Sequence, residues 1–155
     1  MDASIYDQHV SAFLKDGVIT LNTNAKTDDG LWYLQEPFVS IPVADGAQAI
    51  GDLLLDMLGQ SQTAVSNDEF TQVYIAQVFS KMLEAVGVAS VDELAELAQH
   101  CGVGLGNGRY ELTPTKKVTT GEMFTFLEDK QVLVEAEEAD RILGFALLNC
   151  FSHCE

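Results

Sequence analysis

The chain has 155 residues, 47% of them hydrophobic, with 24 Asp and Glu against 8 Lys and Arg for a formal charge of -16. That length suits a single domain with its own core, and the apolar share excludes wholesale disorder. The acidic excess argues against nucleic acid or an anionic membrane as direct partner, since either polyanion is repelled, and points to a basic protein.

The start, "MDASIYDQHV", carries acids where a secretory leader has a basic and then an apolar region, so a cytoplasmic protein is expected. "VSAFLK" and "VITLNT" flank Asp16-Gly17, a pair that supplies positive φ in a tight turn, and predict a hairpin. Asp28-Asp29-Gly30 reads as a solvated loop tip. Trp32 and Tyr33 in "LWYL" serve either as interface anchors or as ordinary core. "FVSIPV" predicts a third strand, and Asp45 with Gln48 has the spacing of a capping box opening a helix over about 46–60. The apolar stripe of that helix is Ile50, Leu53, Leu54, Met57 and Leu58.

A helical insert follows over about 66–99. Ser66 with Glu69 and Ser90 with Glu93 repeat the capping-box spacing. "VYIAQVFSKMLEAVG" is apolar on more than one side, which predicts substantial burial, and "VDELAELAQ" is a short amphipathic helix. Asp68 and Glu69, like Asp92, Glu93 and Glu96, sit near helix starts, where negative charge favours the helix dipole. A role in partner contact is the other reading of these acids.

Beyond the insert, "CGVGL", the turn Asn107-Gly108, "RYELTP" and "QVLVEA" repeat the strand pattern and lead to a final helix over about 137–153 with the stripe Leu143, Ala146, Leu147, Cys150 and Phe151. "EAEEAD" places Glu135, Glu137, Glu138 and Asp140 around a strand end and the first helical turn, again as dipole partners or as contact residues. Pro37, Pro42 and Pro114 mark bends or strand ends. The run "ILGFALLNCF" is about half of the roughly 20 residues a membrane helix needs, and is expected to be core.

The two ends of the chain echo one another. "VSIPVADGAQAIGDLLLDML" (39–58) lies over "VLVEAEEADRILGFALLNCF" (132–151) at an offset of 93, matching Val39 with Val132, Gly51 with Gly144, Leu54 with Leu147 and Leu55 with Leu148. Upstream, "DGVITLNTNAK" (16–26) lies over "NGRYELTPTKK" (107–117) at an offset of 91. These blocks predict a single domain, residues 1–155, holding related units over about 10–62 and 100–155. A helical glycine costs about 1 kcal/mol relative to alanine, so Gly51 and Gly144 at matched positions predict close packing of the helix backbone.

No nucleophile elbow, phosphate loop or dinucleotide fingerprint occurs, so neither catalysis nor a cofactor is expected. Three cysteines, an odd number, fit free thiols in a reducing compartment. His100-Cys101 together with "CFSHC" could supply zinc ligands, and Cys150 and Cys154 share a helix face. Cys150 also continues the apolar stripe, which favours core packing and no metal.

The second unit resembles a known family. "CGVGL", a turn, "RYELTPTKK" and "VLVEAEEADRILGFALLNCFSHC" are similar to the C-terminal half of the CdiI-type immunity proteins of contact-dependent growth inhibition systems. The matching residues are Thr113, Pro114 and Thr115, Val132 to Val134, Glu135 to Glu138, Leu143 with Gly144, and Cys154. The resemblance implies a cytoplasmic antitoxin that binds and neutralises the C-terminal toxin domain of a delivered exoprotein, commonly a nuclease. A nuclease presents a basic surface to its substrate, and a chain of charge -16 can occupy that surface. The alternative is an acidic adaptor or regulatory module for another basic protein. The expected fold is α+β: two related ββ-strand-helix units around one antiparallel or mixed sheet, with the helices of about 66–99 covering one face.

Overall fold

The computed structural model describes residues 6–117 and 124–155; of the opening acids, Asp2 lies outside them. Two hairpins form the middle of the sheet. Strands β1 (Gln8–Lys15) and β2 (Val18–Lys26) join at Asp16-Gly17; β4 (Gln99–Gly106) and β5 (Arg109–Lys117) join at Asn107-Gly108. All four turn residues take positive φ, at 51°, 75°, 55° and 77°, the twist that lets a two-residue loop connect right-twisted strands. Asp and Asn tolerate that region and glycine is at home there, so the predicted turns follow from their sequence.

The hairpins meet along an antiparallel seam between β1 and β4, from Gln8 opposite Leu105 to Leu14 opposite Gln99. Strand β3 (Trp32–Pro42) extends the sheet beyond β2. On the other side, β7 (Val132–Glu135) pairs with Arg109–Leu112 of β5, and a short β6 (Phe124–Phe126) pairs with Thr115–Lys117. All these strand pairs are antiparallel. The α+β class with helices packed on one antiparallel sheet is therefore what the structure shows.

Pro37 and Pro114, expected at bends or strand ends, lie inside strands instead. Pro37 falls where the β2–β3 register shifts, between Phe38 opposite Asn22 and Leu34 opposite Asn24, on a strand that pairs with β2 alone among the described residues. Pro114 falls between the stretches of β5 paired to β7 and to β6. At both places the missing N–H costs no ladder bond, the only condition a strand imposes on proline.

Helix α1 (Ala47–Gly59) and helix α4 (Ala139–Ser152) lie side by side on one face of the sheet. Their stripes meet Val10, Ala12, Ile19, Leu21, Val103 and Leu112 in the main core. Phe145 is the exception in the final apolar run, 61% exposed. Gly51 and Gly144 face each other. A Cβ on Gly51 would come 2.8 Å from the Gly144 nitrogen, and one on Gly144 would come 1.7 Å from the Ala47 carbonyl oxygen. No atom fits there, which explains both glycines despite their helical cost.

The expected box at Asp45 and Gln48 is not formed. Gly46 is the N-cap of α1 without a side-chain bond, and Gln48 Nε2 donates to Asp52 Oδ1 (2.9 Å) and to the Asp140 carbonyl (2.8 Å), linking α1 to α4.

Helices α2 (Gln72–Val86) and α3 (Val91–Leu97) cover part of the opposite face, in a smaller cluster of Phe13, Met82, Val86, Val88, Leu94 and Ala98 backed by Leu34, Phe38 and Phe124. The predicted burial of α2 is only partly realised. Val78, Met82 and Val86 are buried, while Val73 is 67% and Ile75 39% exposed. Against β3 the helix uses one stripe, and its second apolar side is left outside.

Ser66 does not open α2. Its hydroxyl accepts from Asp68 N (3.3 Å) in a 3-10 turn over Asn67–Glu69, and Thr71 caps α2 by accepting from Tyr74 N (3.1 Å). At Ser90 and Glu93 the cap does form, with the return bond one residue further out: Ser90 Oγ accepts from Glu93 N (3.2 Å), and Glu93 Oε2 accepts from Ala89 N (2.7 Å) rather than from Ser90 N.

Candidate partner-binding surface

The proposed contact residues fall into three groups. The first is assembled by the start of β3 and the segment leading into α2. Backbone bonds from Lys26 N to Gln62 O (2.8 Å) and from Val65 N to Lys26 O (3.0 Å) lay the 62–65 segment along the end of β2. This brings the turn with Asp68 and Glu69 beside Tyr33. The Tyr33 ring stacks on Phe70 at 4.6 Å and 10°, and Phe70 meets Tyr74 edge-on at 5.6 Å. Asp28, Asp29, Glu36, Asp68 and Glu69 are exposed around this row.

Electrostatics register the arrangement. The Tyr74 hydroxyl is pushed above its usual value, first by burial and then by the charges of Glu36 and Glu69, with Lys81 opposing. The Asp29 carboxyl is held below its usual range, first by the Thr27 hydroxyl and then by the Asn67 side chain, so this acid is tied into the loop. Outward from the row, α2 presents a groove of about 480 Å³ lined by Gln72, Ile75, Ala76, Phe79, Ser80 and Leu83.

Trp32, next to Tyr33 in the chain, turns the other way. Its ring lies 5.4 Å from that of His9, with Lys26 Nζ 5.8 Å from its centroid, so it closes over the sheet. The aromatic pair expected as anchors is thus split by strand alternation: one residue flanks the acidic turn and the other covers a histidine.

The second group, Asp92, Glu93 and Glu96, sits on α3. Glu93 is occupied in capping, and the Glu96 backbone carbonyl accepts from Lys117 Nζ (2.5 Å). The third group, Glu135, Glu137, Glu138 and Asp140, is exposed around the end of β7 and the start of α4. No side chain caps that helix; Glu138 lies 3.9 Å from Arg141, and the Asp140 carbonyl receives Gln48. Both of these groups are acidic, whereas the first combines charge with stacked rings.

Beneath Trp32 lies a buried polar layer with no counterpart among the sequence expectations. Asn24 Nδ2 donates to His9 Nδ1 (2.7 Å) and Ser11 Oγ (3.0 Å), which leaves the His9 ring proton on Nε2, the nitrogen facing Gly102. Tyr6 donates to Glu111 Oε2 at 2.5 Å, Arg109 pairs with Glu111 at 3.1 Å, and Gln131 donates to Thr113 Oγ1 at 2.9 Å. Gly104 leaves room for the Tyr6 ring and Gly102 for Phe126, each place too tight for a Cβ.

His9 Nε2 and His100 Nδ1 are buried without a hydrogen-bond partner among the described residues. Burial lowers the His9 pKa to about 4; burial, and next the charge of His9, lowers that of His100 to about 3. Both rings are neutral at pH 7. The signal that could have pointed here was the pair Gly102 and Gly104 inside an otherwise regular strand. Among the described residues, no group of three or more His, Cys, Asp or Glu side chains is placed to hold a metal ion.

No protein-family model matches the chain, and no curated protein matches it in sequence. Solved structures do share its fold. A "Protein of Unknown Function NMB0488 from Neisseria meningitidis" superposes with a TM-score of 0.81 at 18% identity, covering 96% of this chain and 95% of that one. A chain of the "CdiA-CT/CdiI toxin and immunity complex from Yersinia pseudotuberculosis" superposes with a TM-score of 0.78 at 12% identity, covering 96% and 97%. At these identities the likeness is one of fold, over nearly the whole length of each chain.

Proposed function

We propose that this chain is an immunity protein of a contact-dependent growth inhibition system, which binds and neutralises the C-terminal toxin domain, a nuclease in our reading, of the exoprotein. One observation carries the reading: the fold likeness to a chain of a toxin and immunity complex extends over 96% of this chain and 97% of that one. The charge of -16 agrees with it, since a nucleic-acid enzyme is basic where it holds its substrate. The action is binding without reaction, in the cytoplasm of the producing cell.

The surface we assign to the toxin is that of Tyr33, Phe70 and Tyr74 with Asp68 and Glu69. Rigid aromatics ringed by charge are what interface hot spots use. The test pairs this chain with the toxin domain of the exoprotein encoded beside it. Growth of cells expressing the toxin domain should be restored by co-expression of this chain, and the two purified proteins should bind. Failure of both rescue and binding would sink the reading. For the surface, Asp68→Lys with Glu69→Lys should weaken binding about tenfold or more, while Asp92→Lys with Glu96→Lys should change it less than about twofold. The reverse ranking would move the interface to α3.

A further inference from the structure

Three thiols meet where the C-terminal end of α4 reaches the sheet. Cys101 on β4 and Cys150 in α4 are fully buried, and Cys154, just past the helix, is partly exposed. The chain end is held in place: Cys154 N donates to Phe151 O (3.1 Å), Glu155 N to Thr115 O (3.1 Å), and Lys117 N to Glu155 O (3.2 Å). This sets Cys154 Sγ 3.7 Å from Cys101 Sγ and 3.4 Å from the His100 carbonyl oxygen. One thiol of the contact pair therefore faces solvent and the other lies directly behind it.

We propose that Cys154 and Cys101 form a thiol–disulfide exchange site for a small disulfide of the glutathione class, which converts them to an internal Cys101–Cys154 bond. In the first step the Cys154 thiolate attacks one sulfur of the small disulfide. That S–S bond breaks, a mixed disulfide forms on Cys154, and one small thiolate leaves and takes up a proton. In the second step Cys101 gives up its proton and attacks Cys154 Sγ. The mixed S–S bond breaks, and the second small thiolate leaves and is protonated. Two cysteine thiols are oxidised and one small disulfide is reduced to two thiols.

The acid–base character of the pair fits this division. A hydrogen bond from Cys101, with help from the backbone of Thr115 and His100 and the charge of Lys117, brings the Cys154 thiol down to about 7 against the effect of burial. Burial first, then the hydrogen bonds with Cys150 and Cys154, pushes the Cys101 thiol far up. Cys154 is thus the sulfur that carries charge at neutral pH, and Cys101 reacts only when a disulfide has been placed against it. The bond would close a loop containing β5, β6, β7 and α4, and it stands independently of the toxin reading.

The experiment uses the native chain with excess oxidised glutathione, quenched by alkylation and read by intact mass and fragment ions. The expected product is lighter by two hydrogens, has one free thiol in place of three, links Cys101 to Cys154, and melts at higher temperature. Its rate of formation should rise with pH and reach half its plateau near pH 7, the value for Cys154. Cys150→Ala should still form the bond, and Cys154→Ser should not. Three unreacted thiols, a persistent adduct of one glutathione, or a bond made by Cys150 would each overturn the assignment. The fragment ions of the unsubstituted protein decide the matter even where a variant fails to fold.

Discussion

Gly51 and Gly144 are where one missing methyl group carries the most weight. An alanine at 144 gains about 1 kcal/mol of helix propensity, yet its Cβ meets the Ala47 carbonyl, and overpacking of this kind costs roughly 1 to 3 kcal/mol or more. Gly144→Ala should therefore lower the stability measured by urea unfolding, and Gly51→Ala should do so less, since its nearest neighbour is 2.8 Å away rather than 1.7 Å. Stabilisation by either change would contradict the contact. His9 and His100 add a pH dependence of definite sign. Their folded pKa values, about 4 and about 3, lie below the unfolded value of 6.5, so the unfolded chain binds more protons as pH falls below 6.5. Stability should be full above that pH and decline already between pH 6.5 and 5, above the range where Asp and Glu titrate, by an amount on the order of a few kcal/mol at lower pH. A flat stability between pH 7 and 5 would exclude neutral burial of the rings. The glycine contact was legible in the sequence because the residue recurs at matched places. The histidines were not, since alternation in a strand marks which side is apolar and says nothing of what covers the polar side.

At the scale of elements, hairpins and helices followed from local chemistry: Asp-Gly and Asn-Gly turns, a Ser90 cap and two apolar stripes. What the periodicity of α2 could not reveal is which apolar side the sheet would take. The sheet takes Met82 and Val86, with Phe79 and Leu83 packed at the edge of the same cluster as Leu34 and Phe38, while Val73 and Ile75 stay outside. A clear contrast in unfolding free energy should result. Met82→Ala should cost about 2 to 5 kcal/mol, whereas Val73→Lys, on the open side, should stay within about 0.5 kcal/mol. Equal effects would show that the second side is covered in solution. The capping misreadings share one cause: Gln48 and Ser66 find partners in Asp140 and Asp68, and a side chain with a tertiary or a nearer local partner leaves the helix end to another residue.

For the molecule as a whole, the acidic excess sets the approach to a partner. If a basic toxin domain is steered by it, the association rate should fall steeply between about 50 mM and about 500 mM salt, as the Debye length shrinks from roughly 14 to 4 Å. A flat rate by stopped flow would remove steering from the account. We also propose that the two ends of the chain, about 10–62 and 100–155, are copies of one unit. Shifting by 91 residues carries Gln8 to Gln99 and Leu14 to Leu105, so the seam pair of Gln8 with Leu105 becomes that of Gln99 with Leu14, itself a pair of the seam. The helices are related by the offset of 93, with Gly51 against Gly144. Homologues in which the two units align to each other better than chance would support the copying, and an alignment that separates them would not.

The central seam also orders events in time. Each hairpin closes over two residues and forms locally, on a scale of about 1 to 10 μs, whereas Leu14 can find Gln99 only after the whole intervening insert has been brought round. We expect the middle of the sheet to be the last ladder assembled, each half until then exposing an unpaired strand edge and an uncovered helix face. Val103→Ala, on β4 at the seam, should speed unfolding while leaving the refolding rate almost unchanged, and in concentrated refolding mixtures the halves of two chains should find one another in place of their own.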